Sequence, residues 1–135
     1  MAEYTLTTPT FVPEGGAIPF TNTVIKGCCN VRHRPGSGIV KLKGGTCCKP
    51  NKYFIRFHGV TTDVPGTTQL GIFLDGELLP ETLMSANAPS ADDVLSMDAA
   101  TEVCLDGCCS NVSVRVVAGT TTTVNAAAII IHKEE

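Results

Sequence analysis

Lys52-Tyr53-Phe54-Ile55-Arg56-Phe57-His58-Gly59-Val60 alternates residue by residue, with Tyr53, Ile55 and Phe57 on one side and Phe54, Arg56 and His58 on the other. A period of two in a run rich in aromatic and β-branched side chains predicts a strand whose first face enters a core. The second face is mixed and lies on a surface or an interface. Outward from it, short β segments alternate with turn chemistry every ~8–12 residues, the pattern of a sandwich or jelly roll.

Upstream, segments 30–33 and 39–42 flank Arg34-Pro35-Gly36-Ser37-Gly38, a hairpin loop in which proline presets φ and the glycines permit positive φ. Downstream, segments 69–74 and 78 onward flank Asp75-Gly76, the strongest two-residue hairpin signal in the chain. Segment 85–91 reads as a loop and 94–103 as a strand. Val112, Val114 and Val116 alternate with Ser113, Arg115 and Val117. Segment 126–131, Ala-Ala-Ala-Ile-Ile-Ile, is apolar on both faces, so it is a central strand or lies at a subunit seam.

The 135 residues form one all-β domain, with Gly 13, Pro 8 and 43% hydrophobic residues. Residues 1–16, with Pro9, Pro13, Gly15 and Gly16, read as an extended N-terminal arm, and 17–135 as the jelly-roll domain. Tyr4, Leu6, Phe11 and Val12 are the arm's candidate anchors, on a neighbour or on a larger particle; a flexible tail is the alternative. Segment 4–9 has neither the basic start nor the apolar run of a secretory leader, so release by host-cell lysis is expected.

Seven cysteines are present, six of them as Cys28-Cys29, Cys47-Cys48 and Cys108-Cys109, with Cys104 alone. None of the pairs has the C-x(2–4)-C spacing of a zinc knuckle, and Cys104 to Cys108 fits it only loosely. Disulfides among the three pairs are expected, with the odd thiol free or bonded to another subunit.

The formal net charge of -3 argues against nucleic-acid binding. No apolar run reaches the ~18–20 residues of a membrane helix, so no membrane insertion is expected. Eight of the ten basic residues lie in segment 26–56, and nine acids lie in segment 63–106. Either the strands interleave and mix these charges, or basic and acidic rims meet between subunits and salt loosens the assembly. Arg32-His33-Arg34-Pro35 is a basic cluster suited to an anionic surface, without aromatics for base stacking.

None of His33, His58 and His132 sits in a nucleophile motif, so no enzyme, catalytic residue or cofactor is expected. Asp92-Asp93 lacks the six to eight oxygen ligands of a calcium site. The Asn111-Val112-Ser113 sequon is expected to be inert.

In order along the chain, segments 12–20 (Val-Pro-Glu-Gly-Gly-Ala-Ile-Pro-Phe), 36–40, 52–57, 69–80 and 124–131 resemble jelly-roll domains similar to tumour necrosis factor and complement heads. Bacterial exosporium heads and small gut-prophage structural proteins are among the relatives. The resemblance implies a homotrimer in which Ala126, Ala128 and Ile130, or their alternates, face the three-fold axis, and Tyr53, Ile55 and Phe57 fill the sandwich. The chain lacks a Gly-X-Y stalk and carries cysteine pairs, which departs from the exosporium pattern. The expected function is a non-enzymatic structural trimer of a bacteriophage virion, hardened by disulfides, with itself and a major shell protein as partners. The alternatives are a spore-surface or filament subunit cross-linked by disulfides, and a fibre head that binds a receptor or glycan.

Overall fold

The computed structural model describes residues 2–27, 30–46, 49–63, 66–88, 94–106, 109–118 and 121–134. Its strands are β1 (Ala2–Leu6), β2 (Thr10–Pro13), β3 (Asn22–Ile25), β4 (Val31–His33), β5 (Val40–Leu42) and β6 (Asn51–Asp63). They continue as β7 (Gly66–Leu74), β8 (Glu77–Leu78), β9 (Met84–Ala88), β10 (Val94–Leu105), β11 (Ser110–Ala118) and β12 (Thr121–Glu134). Two antiparallel sheets form a jelly roll. The first runs β10-β6-β12-β1-β3, with β2 also on β12; the second runs β4-β5-β11-β7-β8, with β9 also on β7.

β12 is central, as its doubly apolar sequence requires. One side pairs with β6 along nearly its whole length; the other is shared by β2, on Thr121–Val124, and β1, on Ala127–Ile131. The alternation of β6 is realised in full: Tyr53, Ile55 and Phe57 are completely buried. They meet Ile129 and Ile131 of β12 and, from the second sheet, Leu70, Ile72, Val112, Val114, Val40 and Leu42 in one core. Burial stabilises each such side chain by about 1.5–3 kcal/mol relative to exposure.

The N-terminal segment is corrected by this topology. Residues 2–6 and 10–13 are built into the first sheet as β1 and β2, and Tyr4, Leu6 and Val12 lie in the core of their own subunit. Proline did not prevent this because Pro13 is the last residue of β2 and Pro9 lies between strands. Only Phe11, 58% exposed, remains outside the core among the four candidate anchors. Residues 15–18 then cross to the second sheet, where the Gly15 and Ile18 amides donate to the Val116 and Val114 carbonyls (both 2.9 Å).

Both expected hairpins form. β4 pairs with β5 around the 34–38 loop, and β7 pairs with β8 through Asp75 (φ 52°) and Gly76 (φ 87°), the positive-φ pair of a type I′ turn. The expected loop at 85–91 begins as strand instead, because residues 84–88 pair with β7. Between β8 and β9 the Leu79 amide donates to the Ile72 carbonyl (3.0 Å), which leaves a gap on the edge of β7 at the Ile72 amide. Thr82 fills it: its hydroxyl accepts from the Ile72 amide (3.0 Å) and donates to the Leu79 carbonyl (2.7 Å).

Candidate functional site: the outer face of the first sheet

With Tyr53, Ile55 and Phe57 turned inward, the intervening residues of β6 must face outward, and strand register carries their neighbours with them. Val60 stands between Ser96 of β10 and Ala126 of β12; His58 between Asp98 and Ala128; Arg56 between Ala100 and Ile130. Thr5 and Glu3 of β1 continue the rows of Ala128 and Ile130. Phe54 lies between Glu102 and His132, and Lys52 between Cys104 and Glu134.

Of the candidate axis residues, Ala126 is exposed and Ala128 and Ile130 are half-buried; all three are outward, whereas the alternates Ala127, Ile129 and Ile131 are in the core. A column of two alanines and an isoleucine is thus flanked by uncovered apolar side chains. Val94, Phe11, Phe54 and Ile25, at 65%, 58%, 36% and 36% exposure, stand on the same face by register. Scattered exposed apolar residues are ordinary, but four of the seven large ones exposed among the described residues stand on this one sheet face, which makes it the candidate interaction surface.

Polar groups ring the column in specific contacts. His58 Nδ1 meets a carboxylate oxygen of Asp98 across the β6–β10 ladder. A hydrogen bond with the Glu102 carboxyl holds the Glu134 carboxyl above its ordinary range, and Lys52 and His132 oppose the shift. Basic and acidic residues are therefore interleaved on this face: His58 stands opposite Asp98 of β10 and Lys52 opposite Glu134 of β12, while Arg56 lies between Ala100 and Ile130.

Cys104 and Cys109 are exposed free thiols, Cys104 on this outer face opposite Lys52. Cys28, Cys29, Cys47, Cys48 and Cys108, and the Asp92-Asp93 pair, lie outside the described residues. The strand expected over 94–103 extends in the structure to Leu105, and its alternation places Asp98, Glu102 and Cys104 on one side. That they oppose His58, Phe54 and Lys52 required the register.

No protein-family model and no curated protein sequence matches the chain. Solved structures do match in fold. The globular domain of zebrafish complement 1qA protein aligns with a TM-score of 0.66 at 9% identity, over 96% of this chain and 94% of its own. Eiger TNF from S. frugiperda aligns with a TM-score of 0.66 at 13% identity, over 95% and 88%. Murine APRIL at pH 5.0 aligns with a TM-score of 0.62 at 13% identity, over 96% and 98%. The fold is that of the tumour necrosis factor and complement heads.

Proposed function

We propose that this protein is a non-enzymatic structural subunit, a homotrimeric jelly roll that decorates or helps to build a bacteriophage virion released by host-cell lysis. The observation that carries the trimer is the outer face of the first sheet. Its Ala126–Ala128–Ile130 column permits close approach of neighbouring backbones, and the exposed Phe54, Val94 and Phe11 supply apolar area to bury. The shared fold supports the same reading. A major shell protein is the proposed larger partner, and disulfides among the cysteine pairs the proposed hardening.

Native mass spectrometry and sedimentation test it through Ala128→Arg, which puts a long cation into the column without touching the core. A trimer in the parent and a folded monomer in the variant are expected; a parent that stays monomeric at high concentration overturns the reading. A second reading is a filament whose subunits are bonded to one another by cysteine, favoured by the exposure of Cys104 and Cys109. It predicts a ladder on non-reducing gels that Cys104→Ser or Cys109→Ser shortens.

A further inference from the structure

The β4–β5 hairpin forms the edge of the second sheet, on the side of the sandwich where β3 forms the edge of the first. Three adjoining cavities lie over it, of about 520, 580 and 270 Å³, and Arg32 lines all of them. Arg34 and Lys41 join Arg32 in the first, Lys26 in the second, and Lys41 and Lys43 in the third. Cations therefore line all three cavities along the hairpin.

This arrangement runs against the stability of the hairpin. Arg32 and Lys41 face each other in direct register, and like charges so placed destabilise a strand pair. Among the described residues the one side-chain contact between a basic group and a carboxylate at ion-pair distance is His58–Asp98, so no described carboxylate pairs with either cation. A local rule broken without an internal compensation is the mark of a site.

The groove is also held rigid. His33 Nε2–H donates to the Ser37 carbonyl (2.8 Å), its ring packs against Tyr4 (centroids 4.4 Å apart), and its buried Nδ1 has no hydrogen-bond partner among the described residues. The turn is tied to Phe20 by the Gly36 amide donating to the Phe20 carbonyl (2.9 Å) and the Phe20 amide donating to the Ser37 carbonyl (3.2 Å). Ser37 Oγ in turn accepts from the Ile39 amide (3.1 Å).

From these features we infer that the β4–β5 groove binds a phosphate or sulfate oxyanion, gripped by Arg32, Arg34 and Lys41. Guanidinium forks suit such tetrahedral anions, and the lysine adds a point charge. The groove offers no stacking platform: its described aromatic linings are Tyr4, 2% exposed, and His33, already packed on Tyr4. This disfavours recognition of a nucleobase. The site is separate from the outer face of the first sheet, so it stands whether or not the trimer does.

Thermal unfolding with inorganic phosphate or sulfate, against sodium chloride at equal ionic strength, tests the inference in the full chain. Because a ligand of the native state raises its melting temperature, the oxyanions should raise it and chloride should not. Arg32→Gln and Lys41→Gln should each weaken the apparent affinity about tenfold or more, the scale of one lost charged hydrogen bond. The same variants should melt no lower than the parent in phosphate-free buffer, since the like-charge pair is relieved. Arg115→Gln, which removes a charge from β11, should keep the response. Amide NMR shifts should centre on Ser37, Ile39 and Lys41. Tighter binding of tripolyphosphate or sulfated oligosaccharide than of the free ions would identify a chain-borne anion, and equal binding a free one. An equal response to chloride, an unchanged response in Arg32→Gln, or a preference for single-stranded DNA over tripolyphosphate would overturn the inference.

Discussion

His58 of β6 and Asp98 of β10 stand directly opposite one another on the outer face of the first sheet, with the imidazole against the carboxylate. Both are about half exposed, at 52% and 65%, so in the isolated subunit the pair is screened by water. Asp98→Asn should therefore cost the monomer under about 1 kcal/mol. In the proposed trimer the same residues are desolvated, and losing one partner strands the other. Sedimentation should then show at least a tenfold weaker association for Asp98→Asn, with little change in the melting of a monomeric background such as Ala128→Arg.

Glu134 gives a pH dependence of definite sign. Its folded-state value is raised above 4.5 by the hydrogen bond with Glu102, so folding favours the protonated form. That contribution is fully present below the unfolded value and is lost as pH rises through the folded one. Glu134→Gln should melt above the parent once the parent's Glu134 carboxyl ionises, and the two curves should converge in acid. Melting curves at intervals from about pH 3 to 7 check this. A parent that outmelts the variant at neutral pH would show that Lys52 dominates Glu102.

Thr82 is buried at 1% exposure, and its hydroxyl serves the Ile72 amide and the Leu79 carbonyl together. Thr82→Val keeps the shape but leaves that buried amide unpaired, at a cost of about 1–3 kcal/mol. Thr82→Ser, which keeps the hydroxyl, should recover most of the loss. Urea midpoints of the three proteins make the comparison.

Gly59 continues the inward row of Tyr53, Ile55 and Phe57, but the Phe57 ring occupies its side-chain space. A Cβ at Gly59 would lie 2.7 Å from the ring's Cζ. Gly59→Ala should cost about 1–3 kcal/mol through overpacking. Shortening the ring in Gly59→Ala/Phe57→Leu should restore part of it, so the two changes should be non-additive in a denaturation cycle.

The parts of the fold that rest on short-range chemistry were legible in the chain. The period of two in 52–60 named the inward face of β6, the 34–38 loop and Asp75-Gly76 placed two hairpins, and the apolar run at 126–131 announced a strand that is central or lies at a subunit seam. The outward set Ala126, Ala128 and Ile130 was visible as a set; only the pairing of β12 with β6 and β1 decided between it and its alternates.

Pairings between distant segments belonged to the tertiary structure. Residues 2–6 read as an arm because prolines and glycines surround them, yet they pair with residues 127–131 at the other end of the chain. Likewise residues 84–88 became strand on the edge offered by β7, and Asp98 found His58 forty positions away. Alternation and turn chemistry act over a few residues and can be read in one sequence. Register between remote strands is set by which apolar rows fill one core together, so the uncovered face, the mixed charges on it and the cationic groove beside β4 existed only once that core had closed.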